Sequence, residues 1–196
     1  MRGAFEIMRE TAAGWLTEKS PEIVARNAGI EWLPSEGCFR FVSLGQALAL
    51  SFPDCRFSPE PEPWQALILL HCLSRADGAP LWGKEIPLRE MADGMVRGAN
   101  FDRKCEWKLG KLGKVPETEL LRRCGSLGGV RVMGNADLCV RFELLPCCPM
   151  TLKLWYPEED IPASGRLLAD AAIDHFLSVE DAVMLGELIL KKLSEA

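Results

Sequence analysis

Residues 138–170 read LCVRFELLPCCPMTLKLWYPEEDIPASGRLLAD, and the pattern of this stretch determines the expected fold. Apolar side chains recur at every second position over residues 138–145 and again over 150–156, which is the period of a half-buried strand. Pro146 and Pro149 flank the cysteine pair between the two runs, and proline cannot donate to a strand ladder. We therefore expect the strands to stop at the prolines and to form an antiparallel hairpin. A two-stranded ribbon is marginally stable alone, so helices elsewhere must cover it.

Four further segments have the features of helices. Residues 4–18 carry one apolar stripe, which is typical of an amphipathic helix. The segment PWQALILLHCLSRADG, residues 63–78, is apolar on nearly all sides of a helical wheel, which predicts a helix buried at the centre of the fold. Residues 101–112 combine an apolar stripe with a stripe of lysines. Ser178 is placed to cap a C-terminal helix, and Asp181 suits the positive end of its dipole.

The other segments complete an α+β fold. Residues 30–57 contain short apolar runs broken by glycine and proline, which predict two or three strands with a turn near Gly45. We expect these strands to join the hairpin in one mainly antiparallel sheet, with helices packed on one face and the leucine-rich helix buried at the centre. Residues 161–177 are expected to be irregular or briefly extended.

Length and charge limit the class of protein. A chain of 196 residues can bury its own core, and we expect one domain over 1–196, with a helical segment at 1–29 and an α+β body at 30–196. The net charge of −5 and the pI near 5.2 argue against nucleic-acid binding, because affinity for phosphate backbones comes from clustered lysine and arginine. The segment 97–131 nevertheless carries nine basic and four acidic side chains, so one face is expected to be basic.

The sequence favours a cytoplasmic protein. Its eight cysteines are irregularly spaced, which indicates free thiols in a reducing compartment and not a disulfide framework. No apolar signal segment follows Met1 and Arg2. The longest apolar run, near residues 66–70, is far shorter than the roughly 20 residues that span a bilayer. We therefore expect no membrane association.

Three segments resemble one family of prokaryotic proteins: LLHCLSRADGAPLWGKEIPLREMADGM at 69–95, LPCCPMTLKLWYPEEDIPASGRLLAD at 145–170 and HFLSVEDAVMLGELILKKL at 175–193. They look like the uncharacterised domain-of-unknown-function family 3786, and the similarity covers most of the chain. Pro157 replaces the glycine, and Ile161 the aromatic residue, that relatives have around the acidic turn. The family has no known activity, so the resemblance implies no catalytic residues.

The resemblance does imply a biochemical setting. Some relatives carry an N-terminal iron–sulphur domain of the kind found in corrinoid proteins of anaerobic one-carbon metabolism. Residues 1–32 contain no cysteine, so we expect no iron–sulphur part in them. The resemblance thus implies an accessory protein of an anaerobe that assists an iron–sulphur or corrinoid partner. No cofactor is expected in the chain itself, and a corrinoid, another tetrapyrrole or a metal is the alternative.

The adjacent thiols of Cys147 and Cys148 are the most unusual local feature. In a proline-bounded turn they can bind a soft metal, or close a vicinal disulfide that responds to redox conditions. The alternative is a pair of packed or solvent-facing thiols, because the chain has no C-x-x-C pair to complete a metal site. The other cysteines are interpreted as core residues: Cys38, Cys55, Cys72, Cys105, Cys124 and Cys139.

Each of the two histidines has a functional and a structural interpretation. His71 lies on an otherwise apolar helix, where the structural alternative is a core imidazole that is hydrogen-bonded to backbone. His175 precedes the C-terminal helix and is either a half-exposed loop residue or a residue that orients or ligates a bound group. If the two side chains come together, they can hold a tetrapyrrole or a metal.

An acidic turn follows the hairpin. Trp155 ends the second strand, and Glu158, Glu159 and Asp160 come shortly after it. Three carboxylates held close together can coordinate a hard cation or supply acid–base chemistry. The alternative is a solvated turn. We count the tryptophan and the three carboxylates as candidate ligand-binding residues.

Three functional hypotheses follow. The first is a non-enzymatic accessory module that docks on an iron–sulphur or corrinoid protein through the basic face of the helix at 101–112, formed by Arg103, Lys104, Lys108 and Lys111. The second is an enzyme or cofactor carrier in which both histidines and the acidic turn converge on one pocket. The third is a structural or oligomerisation domain with no pocket and one large apolar surface patch. Substrate and oligomeric state are left open.

Overall fold

The computed structural model describes residues 3–195, which form helices and strands in an α+β arrangement. The helices are α1 Ala4–Thr17, α2 Pro21–Ala28, α3 Pro63–Arg75, α4 Arg97–Leu112, α5 Glu117–Ser126 and α6 Val179–Glu195. The strands are β1 Glu31–Leu33, β2 Cys38–Ser43, β3 Gln46–Ser51, β4 Phe57–Ser58, β5 Glu85–Ile86, β6 Val130–Arg131, β7 Leu138–Leu145, β8 Cys148–Trp155 and β9 Ser164–Asp170. Single 3₁₀ turns lie at Leu88–Glu90 and Ile173–His175.

The strands form two antiparallel sheets, so the expectation of a single sheet is wrong. One sheet has the order β1-β2-β3-β4, and the other has the order β5-β9-β8-β7-β6. Strand β2 and the turn that follows it meet β7 of the second sheet. There the backbone N–H of Leu44 donates to the carbonyl of Glu143 over 2.9 Å, a link outside either sheet's ladders.

The hairpin of β7 and β8 confirms the predicted alternation. Val140 lies opposite Leu152, and Phe142 lies opposite Met150, with all four side chains buried on one face. Helices cover this face, as expected, whereas Arg141 on the other face is partly exposed. The first strand stops before Pro146, as expected, but the second strand includes Pro149. A register shift after Glu143 lets Cys148 and Pro149 enter β8, so that the strand begins inside the proline-bounded segment.

Helix α3 is the buried central helix that its composition predicted. Nine of its side chains are buried, among them every residue from Gln65 to Leu70. It packs against α1 on one side and α6 on the other. The carboxylate of Glu62 caps its first turn by accepting from the amides of Trp64 and Gln65. One cluster of buried apolar side chains joins this helix to both sheets.

The segment 161–177, expected to be irregular or briefly extended, contains strand β9. This strand pairs with β8 from Ser164 to Ala169, and α4 packs against it. Gly165 makes this packing possible, because a Cβ there would lie 2.7 Å from the Cβ of Leu109. Gly165, which looks like a loop residue in the sequence, therefore lies in a strand that is second from the edge of the sheet, and Pro162 lies just before that strand.

Helix α6 begins as predicted. The hydroxyl of Ser178 accepts from the amide of Asp181 over 3.2 Å, and the Asp181 carboxylate accepts from that hydroxyl in return. Across the described part of the chain, no helix is both long enough and apolar enough to cross a membrane.

Candidate functional site

The side chains of His71 and Asp181 form a hydrogen-bonded pair between the end of α3 and the start of α6. Nδ1 of the imidazole lies 2.7 Å from Oδ1 of the carboxylate, and Oδ2 accepts from the hydroxyl of Ser178 over 2.7 Å. Burial alone would raise the pKa of Asp181, but the hydrogen bonds from His71 and Ser178 outweigh it and hold the pKa below its ordinary value. An ionised carboxylate at Nδ1 keeps the proton on that nitrogen, which leaves Nε2 of a neutral imidazole as an acceptor.

A cavity of about 390 Å³ opens in front of this pair. Its lining consists of Trp15, His71, Ser74, Arg75, Ser178 and Asp181. The indole of Trp15 is half exposed and lies 6.0 Å from the imidazole, measured between ring centres. The cavity therefore offers an aromatic face, a guanidinium and an oriented imidazole to a ligand. Its third wall is helix α1, which contains none of the site residues predicted from the sequence.

His175 forms the second histidine–aspartate pair, on the surface. Its Nδ1 lies 2.7 Å from Oδ2 of Asp77, and Trp82 stands edge-on to the imidazole at 6.1 Å. The hydrogen bond from His175 lowers the pKa of Asp77, and the amide of Ala79 adds to this effect. His175 does not line the cavity of His71. The His71–Asp181 pair joins α3 to α6, and the His175–Asp77 pair joins the residues just before α6 to those just after α3. The two histidines do not share a cavity.

The acidic turn lies at neither of the two histidine sites. Trp155 and Glu158 line a separate cavity of about 410 Å³, whereas Glu159 and Asp160 are exposed and line no cavity described here. The backbone of Glu158 pairs with that of Ile161, which closes the turn on itself. The expectation that both histidines and the acidic turn converge on one pocket is therefore wrong.

Within residues 3–195, no three or more histidine, cysteine, aspartate or glutamate side chains are arranged to hold a metal ion. Cavities are present, so the third hypothesis, which required that there be none, does not fit the structure either.

The thiols of Cys147 and Cys148 have a partner that the sequence did not reveal. Cys147 is partly exposed in the turn, and Cys148 is buried at the start of β8. Cys72, buried on α3, interacts with both thiols, and these interactions together with burial raise its pKa well above its ordinary value. All eight cysteines are free, and the six expected in the core are buried. Neither helical nor strand periodicity could have indicated this contact, because the residues are far apart in the chain.

Helix α4 carries the expected basic surface, formed by Arg103, Lys104, Lys108 and Lys111. Among the side chains that the structure describes, none of these four cations has a carboxylate within 4.0 Å. Nζ of Lys111 lies 3.5 Å above the ring of Trp107, which is 63% exposed. The opposite side of the helix is fixed in the core. An exposed aromatic ring therefore lies among unpaired cations on a rigid support.

Two cavities flank the basic surface. One, of about 320 Å³, has Arg89, Arg103 and Arg166 in its wall, together with the carboxylate of Asp102. That carboxylate accepts from the amides of Leu88 and Arg89, and its burial raises its pKa. The other cavity, of about 210 Å³, is bounded in part by the basic side chains of Arg97, Arg103 and Lys104. Glu106 also lines the first cavity and Glu187 the second, so basic side chains outnumber acidic ones by three to two and by three to one.

The model of the family described as Domain of unknown function (DUF3786) matches residues 20–192. The chain belongs to this family. The match confirms the resemblance that its three segments suggested, and it includes both histidines, the cysteine pair and the basic surface. Of the residues that surround the His71 cavity, only Trp15 lies outside the matched part. Searches of curated proteins and of solved structures found no match to this DUF3786 member.

Proposed function

We propose that this DUF3786 protein is a non-enzymatic binding module that docks on an acidic face of a partner protein through the basic surface of α4. The observation that carries the proposal is the group of four cations around the exposed ring of Trp107, none of which has a carboxylate within 4.0 Å in the described part of the chain. Interfaces are enriched in tryptophan and arginine, and complementary charge accelerates encounter and fixes orientation.

The way in which α4 packs on the core favours docking through its basic surface. The buried side chains of Phe101, Cys105 and Leu109 fix α4 against the core. A partner would therefore meet a surface that is already ordered, which lowers the entropic cost of association. Since no carboxylate among residues 3–195 lies within 4.0 Å of the four cations, their charge is available to the partner.

The partner class comes from the family resemblance. Because relatives join this domain to iron–sulphur domains of the corrinoid-protein type, we propose an iron–sulphur or corrinoid protein of an anaerobe as the partner. In such a role the chain assists the partner and carries out no reaction of its own.

The test is an affinity capture from an anaerobic lysate of the native host, with identification by mass spectrometry. The variant Lys104→Glu/Lys108→Glu/Lys111→Glu reverses three charges on the basic surface. The control variant Lys19→Glu/Arg26→Glu/Lys191→Glu reverses three exposed charges elsewhere. We expect the wild type and the control to recover an iron–sulphur or corrinoid protein, and the surface variant to lose it. Equal recovery by both variants, or no such partner with the wild type, would overturn the proposal.

A second candidate function follows from the cavity in front of His71. Its aromatic face, guanidinium and imidazole acceptor suit a small planar anion that carries a hydroxyl, because the ring can stack on Trp15 while the charge meets Arg75. The observation that favours it is the 2.7 Å contact that orients His71 towards this cavity.

Calorimetric titration with 4-hydroxybenzoate tests this candidate. We expect the wild type to bind, and both His71→Gln and Arg75→Gln to bind at least tenfold more weakly. The matched control is His175→Gln, which changes the other histidine, outside the cavity. No heat of binding with the wild type, or an equal loss in the control, would exclude this ligand class.

A further inference from the structure

Two cavities adjoin each other beside strand β9. The cavity of about 320 Å³ that flanks the basic surface and the cavity of about 410 Å³ at the acidic turn share two lining residues, Glu106 of α4 and Arg166 of β9. Ser164 lines the larger cavity and Leu168 the smaller one, so the strand borders both. The rise of a strand separates these two residues by about 13 Å. We refer to the two adjoining cavities as the β9 groove.

One end of the β9 groove is basic. Arg89 on the first 3₁₀ turn, Arg103 on α4 and Arg166 on β9 line it, so three guanidiniums come from three different elements. Within the described chain, no carboxylate lies within 4.0 Å of Arg103 or Arg166. Asp102 also lines this end, but its carboxylate already accepts from the amides of Leu88 and Arg89. Guanidiniums match the oxygens of a phosphate, which this end therefore suits.

The middle of the groove contains Glu106, which borders both cavities. In the part of the chain that the structure describes, its carboxylate has no cation within 4.0 Å. A carboxylate next to a phosphate site repels a second phosphate but accepts from hydroxyl groups, as the acidic residue of dinucleotide-binding folds does from ribose. The position of Glu106 therefore suits the ribose hydroxyls of a ligand whose phosphate meets the arginines.

The other end of the groove is aromatic and acidic. The indole N–H of Trp155 donates to the carbonyl of Asn135 over 3.2 Å, which fixes the orientation of this partly exposed ring. The carboxylates of Asp137 and Glu158 line the same cavity. A flat base can stack on an indole, and an amino group on that base can donate to a carboxylate. This end therefore suits an amino-substituted base.

We propose that the β9 groove is a binding site for an amino-substituted purine nucleoside monophosphate, represented by AMP. Guanidiniums, then a carboxylate, then an indole beside carboxylates follow one another along the groove, in the order of the phosphate, ribose and base of such a ligand. The length of about 13 Å along β9 accommodates a whole nucleotide and not only a phosphate. Because the far end is acidic, it repels further phosphates, and the groove selects a mononucleotide over a nucleic-acid strand.

The β9 groove is distinct from the docking function proposed for the basic surface. Arg103 belongs to both, so it is left unchanged in the tests. Nucleotide binding is measured on the purified full-length protein without a partner. Failure to bind the nucleotide would leave docking unaffected, and failure to capture a partner would leave the nucleotide site unaffected.

Calorimetric titration with AMP is the direct test. We expect saturable binding of AMP, and about tenfold weaker binding of adenosine and of ribose 5-phosphate, because each lacks one end of the ligand. The variants Arg89→Gln and Arg166→Gln should each weaken AMP binding about tenfold. The matched control is Arg56→Gln, an exposed arginine that lines neither cavity, and it should bind like the wild type. No binding of AMP, or equal losses in all three variants, would overturn the proposal.

Three further variants test the orientation of the nucleotide. Trp155→Ala should weaken AMP binding about tenfold and leave ribose 5-phosphate binding unchanged, because only the base meets the indole. The control Trp82→Ala changes an exposed tryptophan outside the groove and should affect neither ligand. The wild type should prefer AMP to its 2′-deoxy analogue, and Glu106→Gln should abolish this preference. Equal losses of both ligands in Trp155→Ala, or an unchanged preference in Glu106→Gln, would show that this assignment of the groove is wrong.

Discussion

Gly45 and Gly128 lie backbone against backbone where the turn between β2 and β3 meets the end of α5. A Cβ on Gly45 would stand 2.5 Å from the amide nitrogen of Gly128, and a Cβ on Gly128 would stand 2.7 Å from the Cα of Gly45. Both residues have positive φ, +77° and +66°. With the Leu44–Glu143 hydrogen bond, this contact joins the first sheet to the second.

We expect Gly45→Ala and Gly128→Ala each to lower the free energy of unfolding by about 2–4 kcal/mol. A side chain costs about 1–2 kcal/mol in the left-handed region, and the new methyl group meets backbone that cannot rotate away. Urea unfolding followed by circular dichroism measures the loss.

The controls for this prediction are Gly14→Ala on α1 and Gly125→Ala on α5. A Cβ at either position meets no atom within 4 Å, so helix propensity should leave these variants unchanged or stabilised by up to about 1 kcal/mol. Losses of the same size in all four variants would contradict the special role of the Gly45–Gly128 contact.

The Asp181 carboxylate should make stability depend on pH in the acid range. Its folded pKa lies below the ordinary 3.8, so its contribution is present above pH 3.8 and is lost as the pH falls through the lower folded pKa. Asp181→Asn should lose about 1–3 kcal/mol at pH 7, because His71 and Ser178 lose a charged acceptor. The difference from the wild type should narrow below pH 3.8 in urea unfolding. The control is Asp54→Asn, which changes an exposed carboxylate. If the difference in unfolding free energy between Asp181→Asn and the wild type did not depend on pH, the prediction would be wrong.

Glu119 should remain ionised to unusually low pH. Its carboxylate accepts from Arg122 over 2.8 Å and from Arg123 over 2.9 Å, and these bonds lower its pKa to about 2. We expect a carboxyl NMR titration to show this value, and Arg122→Gln/Arg123→Gln to return it towards the ordinary 4.5. Arg131→Gln, which removes a cation paired with Glu117, should leave Glu119 unchanged. An identical shift in both variants would mean that the cause is general charge and not these bonds.

Gly165→Ala should destabilise the packing of β9 on α4. The added methyl group would press on the Leu109 side chain and lie 3.0 Å from the carbonyl of Lys153, so we expect a loss of about 1–3 kcal/mol. Arg166→Ala changes the next residue on the exposed face and should stay within about 0.5 kcal/mol of the wild type. Thermal unfolding compares the two, and the opposite order of stability would refute the account of this strand.

The periodicity of apolar residues was sufficient to predict those elements whose structure depends on neighbouring residues in the chain. The alternation over 138–156 predicted the hairpin and its buried face, and the apolar wheel of 63–78 predicted the buried helix. Ser178 marked the start of α6, because a cap acts on the residues that follow it directly. The basic surface of α4 could also be predicted, since helical spacing alone places its lysines together.

Contacts between distant segments could not be predicted in this way. The partner of His71 is a carboxylate 110 positions away, and the partner of Cys147 lies on another element, so no spacing rule connects either pair. Strand β9 could be predicted only as one alternative, a briefly extended segment, for a different reason. Gly165 weakens the strand signal in the sequence, although the close approach of Leu109 is what requires a glycine there.

The two sheets differ in how far apart along the chain their strands lie, and this difference bears on the order of folding. The first sheet pairs only strands that are neighbours in the chain, within residues 31–58. Its loops are therefore short, and the entropic cost of closing them is small. In the second sheet Glu85 of β5 pairs with Asp170 of β9, and two helices and the hairpin lie between them in the chain. This pairing closes a much longer loop. Pulse-labelled hydrogen exchange during refolding should therefore protect β2 and β3 before β5. We therefore expect β5, an edge strand of the larger sheet, to form its hydrogen bonds late in folding.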